Sequence, residues 1–333
     1  MVLPRYVVVG SVGVCFFILL LPLHVLAASK EKTSESYYHY LIGLLKDKED
    51  DYEQALLAYK KALRSDSGSW EIHFRLAIDL LRANKFKEAE EELNKVVKLR
   101  PYHERARYLL ALVYSYLSQN NKAIKEFDFL LKKPLLELNE EEVRYTLLQL
   151  YVKNNLLDEA LEQCRLILEK SPDDSLAQFY VGYIYSEQKK IKEAIEAFIT
   201  AIEKNPDNAL ALNSLSYLYA EEGINLDDAQ KLVEKALKLE PTNGAYLDTL
   251  GWVYFKKGQL KEAERYLSNA SIFMEDSEIY DHLGQVYYEM GEFEKAKTNW
   301  QKALKLEPKR IIVKQRLQKL IRQLKQKNRK DGS

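Results

Sequence analysis

The chain has 333 residues, 47% hydrophobic and 30% charged, which is too apolar for a disordered chain. Twelve glycines and eight prolines favour long helices over loops. Fifty Lys and Arg balance fifty Asp and Glu, so global charge points to no nucleic acid; yet residues 309–333 hold ten Lys and Arg against one Asp, leaving an acidic body with a basic tail.

The first element is Tyr6–Ala28, which has no formal charge; Arg5 precedes it and Lys30, Glu31 and Lys32 follow. Residues 1–28 have two readings. A signal peptide would have an apolar core weakened at Pro22 and His24 and be cleaved after Ala27, behind Val25-Leu26-Ala27. A membrane anchor needs about 20 apolar residues, and the run is long enough. Either reading exports the body to a bacterial periplasm or envelope. The anchor would add membrane association through residues 6–28.

From there a marker alanine recurs at Ala55, Ala89, Ala123, Ala160, Ala194, Ala229, Ala263 and Ala296, about 34 residues apart. Twelve residues before most markers stands a small residue: Gly43, Ala77, Ala111, Gly182, Gly251 and Gly284. Leu148 holds that place once, and Ser216 lies thirteen before its alanine. Four residues after the marker comes a larger group, such as Tyr59, Phe127, Phe198, Leu267 or Trp300, with Cys164 the exception. This predicts helical hairpins, with small residues letting the helices approach and large ones filling the space beside them. Pro101, Pro172, Pro206, Pro241 and Pro308 close five units and suit the first turn of a following helix. One hairpin cannot bury its apolar face alone, so the units must stack.

The pattern resembles the tetratricopeptide repeat (TPR) over about Ser36–Pro308. The resemblance implies an all-α, right-handed superhelix of about eight repeats. Its expected parts are repeats 1–3 (36–134), repeats 4–8 (141–308) and a basic capping helix and tail (309–333). Lys132–Val143, "KKPLLELNEEEV", reads as a looser joint, with Asn139 and Glu142 placed like a capping box. In the tail, Ile312, Leu317, Leu320, Ile321 and Leu324 form one apolar stripe to pack on the last repeat; contact with anionic lipid is the alternative.

The family further implies a concave groove, lined by positions 2, 5, 6, 9, 12 and 13 of each first helix, that takes a protein or peptide. Here those positions carry Phe179, Tyr180, Tyr183, Asn213, Tyr217, Trp252 and Phe255, the expected partner-binding residues. Tyr183, Tyr217 and Trp252 are expected to stand in one row. The Lys/Asn set with which some TPR proteins clamp carboxylates is absent, since its register falls on Tyr40, Leu44, Arg75, Arg105 and Leu109. "LNSLSY" and "LDTLGW" in repeats 6 and 7 resemble exported bacterial TPR proteins that act as protease adaptors or in polysaccharide and pilus assembly.

The sequence holds no HExxH, GxSxG, GxxxxGK[ST] or GxGxxG motif, so no catalytic residue, metal, cofactor or small-molecule substrate is expected. Cys164 reads as a buried small group. The expected function is a non-catalytic protein-interaction scaffold of the bacterial envelope. The alternative is a TPR arm or accessory subunit of an enzyme or of a polysaccharide or pilus assembly machine.

Overall fold

The computed structural model describes residues 23–331, with side chains over 33–326. Of the segment expected as leader or anchor, 1–22 lies outside the described residues, and Leu23–Ala28 begin the first helix. Among the described residues there are seventeen helices and no strand, and no helix is long and apolar enough to cross a membrane.

The chain divides into two compact units between Val143 and Arg144, at the end of the Lys132–Val143 stretch. The first unit holds three hairpins: α1 (Leu23–Lys48) with α2 (Tyr52–Ser65), α3 (Trp70–Arg82) with α4 (Phe86–Leu99), and α5 (Glu104–Tyr116) with α6 (Asn120–Leu130). The division falls inside α7 (Glu140–Lys153), which precedes α8 (Leu157–Lys170). The second unit goes on with α9 (Ser175–Glu187) and α10 (Ile191–Lys204), then α11 (Ala209–Glu222) and α12 (Leu226–Leu239). It ends with α13 (Gly244–Lys256) and α14 (Leu260–Phe273), α15 (Ser277–Glu289) and α16 (Phe293–Leu306), and a last helix, α17 (Ile311–Asp331).

All eight marker alanines are fully buried. The small residues earn their place sterically. A Cβ on Gly182 would sit 2.6 Å from Phe198 Cδ1, and one on Gly251 2.6 Å from Leu267 Cγ. Ser216 fits because its buried hydroxyl donates to the Ala229 carbonyl at 2.7 Å. In repeat 4 the sizes are exchanged: Leu148 and Cys164 are both fully buried, a large residue at the small place and a small one at the large place. Burial pushes the Cys164 thiol up to about 12, so it is a packing group.

Helix starts and turns repeat as well. Ser69, His103, Asp174, Asn208, Asn243 and Asp276 each cap the first helix of a hairpin with a side-chain acceptor. Asn139 does the same for α7, accepting from the backbone N–H of Glu141 at 2.8 Å. Each turn inside a hairpin contains a residue with positive φ, and at Asp50, Asn84, Ser118, Asn155 and Lys189 that residue is not glycine.

In the first unit the strap after α6 is tied to the Glu104 carboxylate, which accepts backbone N–H bonds from Leu136, Glu137 and Leu138 at 2.9, 2.8 and 3.2 Å. Partial burial opposes ionisation of Glu104, but these three bonds hold it below the usual carboxylate range.

The tail helix caps the second unit. Val313 and Leu320 are buried with Ala296, Trp300 and Ala303, and Leu317 and Leu324 pack against that cluster. Arg316 Nη1 donates to both oxygens of buried Asp281, at 2.8 and 2.6 Å. The expected stripe is corrected at its start: Ile312 is 63% exposed and Val313 takes its place. The helix enters with a rotation that puts position 313 inward.

Candidate partner-binding site

The first helices of repeats 5 to 8, α9, α11, α13 and α15, present one wall of the second unit. A cavity of about 510 Å³ opens there, lined by Tyr183 and Glu187 of α9, Asn213, Tyr217 and Glu221 of α11, Asp248 and Thr249 of α13, and Glu278 of α15. Helical spacing explains the grouping. Asn213, Tyr217 and Glu221 are four residues apart and share one face of α11.

Three of the expected partner-binding residues, Tyr183, Asn213 and Tyr217, are brought together in this lining. Asn213 Oδ1 is buried there and meets no hydrogen-bond donor among the described residues. Tyr217 donates its hydroxyl to Glu278 Oε1 at 2.7 Å. Burial first, then the Glu278 carboxylate, push the Tyr217 hydroxyl well above the usual tyrosine range, so it stays a donor. Burial and nearby Glu187 raise Tyr183 in the same direction.

The other four stand elsewhere. Phe179 and Trp252 are 8% and 5% exposed and belong to the core, with Phe198, Leu215 and Tyr219. Tyr180 and Phe255 are partly buried against the same cluster. Tyr180 Oη also accepts a hydrogen bond from Gln149 Nε2 at 3.1 Å. The expected row of Tyr183, Tyr217 and Trp252 is therefore interrupted at Trp252. Its ring is stacked on His282 at 4.0 Å and on Phe255 at 4.7 Å, and its Nε1 donates to Glu221. A ring covered by the next repeat packs the wall from behind.

The residues that the sequence reading passed over are acidic. Asp248 accepts from buried His282 Nδ1 at 2.9 and 3.1 Å. Burial opposes charge on His282, but Asp248, Glu278 and Asp281 outweigh it and raise its proton affinity. Glu222 and Asp276 join Glu187, Glu221, Asp248 and Glu278 around the cavity, against Lys189 as its cation. The same register that selected Asn213 and Tyr217 passes through Glu221, Asp248 and Glu278. Applying it to carboxylates as well as aromatics would have found them. Among the described residues, no cluster of three His, Cys, Asp or Glu is placed to hold a metal ion.

Comparison with known proteins places this architecture. Tetratricopeptide-repeat family models match residues 48–113 and 277–310, and a further TPR-repeat model matches 182–223. A TPR repeat-containing protein of Pseudomonas aeruginosa is 26% identical over 248 residues, which are 74% of this chain and 36% of that protein. A human protein O-mannosyl-transferase is 30% identical over 134 residues, 40% of this chain and 15% of the transferase. The chain thus spans well under half the length of these relatives. The solved APC/C hetero-tetramer Cut9–Hcn1 contains a similar fold, with a TM-score of 0.60 at 15% identity over 87% of this chain and 56% of that one. With eight successive helix pairs in the described residues, each built on a buried marker alanine, and three matching repeat models, the chain is a tetratricopeptide-repeat protein.

Proposed function

We propose that this protein is a non-catalytic interaction scaffold that holds a segment of a protein partner in the cavity of repeats 5 to 8. One observation carries the reading: Asn213 Oδ1 is a buried acceptor with no donor among the described residues, set in a cavity of about 510 Å³ beside Tyr183 and Tyr217. An unmet buried acceptor is costly, and a backbone N–H of a bound segment would satisfy it. Tyrosines give binding area at low entropic cost. The setting that suits this reading is the bacterial envelope. The uncharged Tyr6–Ala28 run and the "LNSLSY"/"LDTLGW" resemblance support it.

The test is a crosslinking pulldown from the native envelope, comparing the parent with Tyr217→Ala. The variant should lose most of the captured partner while keeping its helical circular dichroism. Undiminished capture contradicts the reading.

A second reading, a repeat arm working beside a catalytic domain, is favoured by the match to a protein O-mannosyl-transferase. It predicts a partner with transferase activity in the same pulldown.

A further inference from the structure

We propose that the cavity of repeats 5 to 8 selects a cationic partner segment, an extended stretch bearing lysine or arginine. This rests on the cavity being the partner site and adds the chemistry of the occupant.

Elsewhere on the second unit several carboxylates meet cations, among them Asp173 with Lys204, Asp207 with Lys235, Asp227 with Lys257, and Glu162 and Glu169 with Arg165. Around the cavity they do not. Glu187, Glu221, Glu222, Asp248, Asp276 and Glu278 form no ion pair with lysine or arginine among the described residues. Two of them are instead held by neutral donors, Glu221 by the Trp252 indole and Glu278 by the Tyr217 hydroxyl. Such bonds orient the carboxylates and leave their charge uncompensated. Asp248 is matched by His282. Glu187 and Glu222 lie at the lining with no hydrogen bond to another side chain among the described residues. Of the nearby cations, Lys189 is exposed, and Lys256 lies 5.0 Å from the Trp252 ring centroid with its Nζ donating to the Glu221 carbonyl.

Concave walls of one charge sign focus their field on a ligand of the other. A lysine or arginine stem can lie along the Tyr183 and Tyr217 rings while its head reaches Glu187 or Glu222. An acidic segment would meet like charge at each step. Asn213 supplies what a side-chain cation alone does not need, an acceptor for a backbone N–H. This is why the occupant is a peptide segment.

The experiment selects random dodecapeptides displayed on phage against the immobilised full chain. Enriched sequences should carry net positive charge. Their synthetic versions should bind about tenfold more weakly to Glu187→Gln/Glu222→Gln, and more weakly again as salt rises. Ser214→Arg, which places a cation in the cavity, should abolish binding; circular dichroism and melting check that both variants are folded. Enriched neutral or acidic peptides that Ser214→Arg still blocks would overturn the charge inference and leave the cavity as partner site. Peptides indifferent to Ser214→Arg, or no enrichment over bare matrix, would overturn both.

Discussion

His282 and Asp248, 34 residues apart in sequence, form a buried pair that joins α15 to α13, with His282 Nδ1 2.9 and 3.1 Å from the two Asp248 oxygens. The imidazole is also stacked on Trp252, whose indole donates to Glu221 at the cavity. One titratable ring thus supports the wall behind the proposed binding site.

The pair predicts a pH dependence. His282 has its proton affinity raised in the folded state above the usual 6.5, because Asp248, Glu278 and Asp281 outweigh burial. The folded chain therefore holds this proton more tightly than the unfolded chain. Its stabilisation is complete below pH 6.5 and is lost as pH rises through the folded value. Protection of the α13 and α15 amides, taken relative to the intrinsic exchange rate at each pH, should fall as pH rises above about 6.5. His282→Gln should remove that dependence and cost about 3 kcal/mol through the unpaired Asp248.

The repeat itself was plain in the sequence, and physics says why. A buried alanine cannot be enlarged, so Ala55 through Ala296 keep a readable period. The turns were not readable. Ser118 and Lys189 adopt positive φ without being glycine, because the packed hairpin imposes a conformation that their own propensity opposes. The tail stripe was expected to start at Ile312, but the docking of Arg316 on Asp281 and of Val313 near Trp300 turns Val313 inward instead. Trp252 shares the register of the cavity residues, but first-helix register does not tell an open ring from one covered by the next repeat. The acids Glu221, Asp248 and Glu278 stand in the same register, where a carboxylate in sequence does not tell a cavity wall from a solvated helix face.

In the first unit, Asp79 is fully buried, and its Oδ2 has no partner among the described residues. Burial, then neighbouring Asp47, push it up to about 7 against the pull of Arg82. Its folded value lies above its unfolded one, so stability falls as pH rises from about 4 to 7. Asp79→Asn should leave thermal melting of α3 almost unchanged at pH 5. At pH 8 it should stabilise by about 1 kcal/mol or more, because no buried charge remains to be held. Equal effects at both pH values would contradict the assignment.

Gly182 and Phe198 test the close approach inside a hairpin. Gly182→Ala forces its new methyl into the Phe198 ring, only 2.6 Å away, and should destabilise by about 1–3 kcal/mol in chemical denaturation.

For the cap, Leu320 is 1% exposed and Ile312 is 63% exposed. Leu320→Asp should lower stability by about 3 kcal/mol, while Ile312→Asp should change melting by no more than about 0.5 kcal/mol. The reverse order would mean that the helix packs by the other face.

Whether a partner segment lies in the cavity of α9, α11, α13 and α15 can be read by site-specific photo-crosslinking in cells. A benzophenone amino acid is placed at Ser214 in the cavity lining, or at exposed Glu203 on α10 as the comparison. A discrete partner adduct is expected from position 214, reduced by Glu187→Gln/Glu222→Gln, and none from position 203. An adduct from 203 with none from 214 would contradict it.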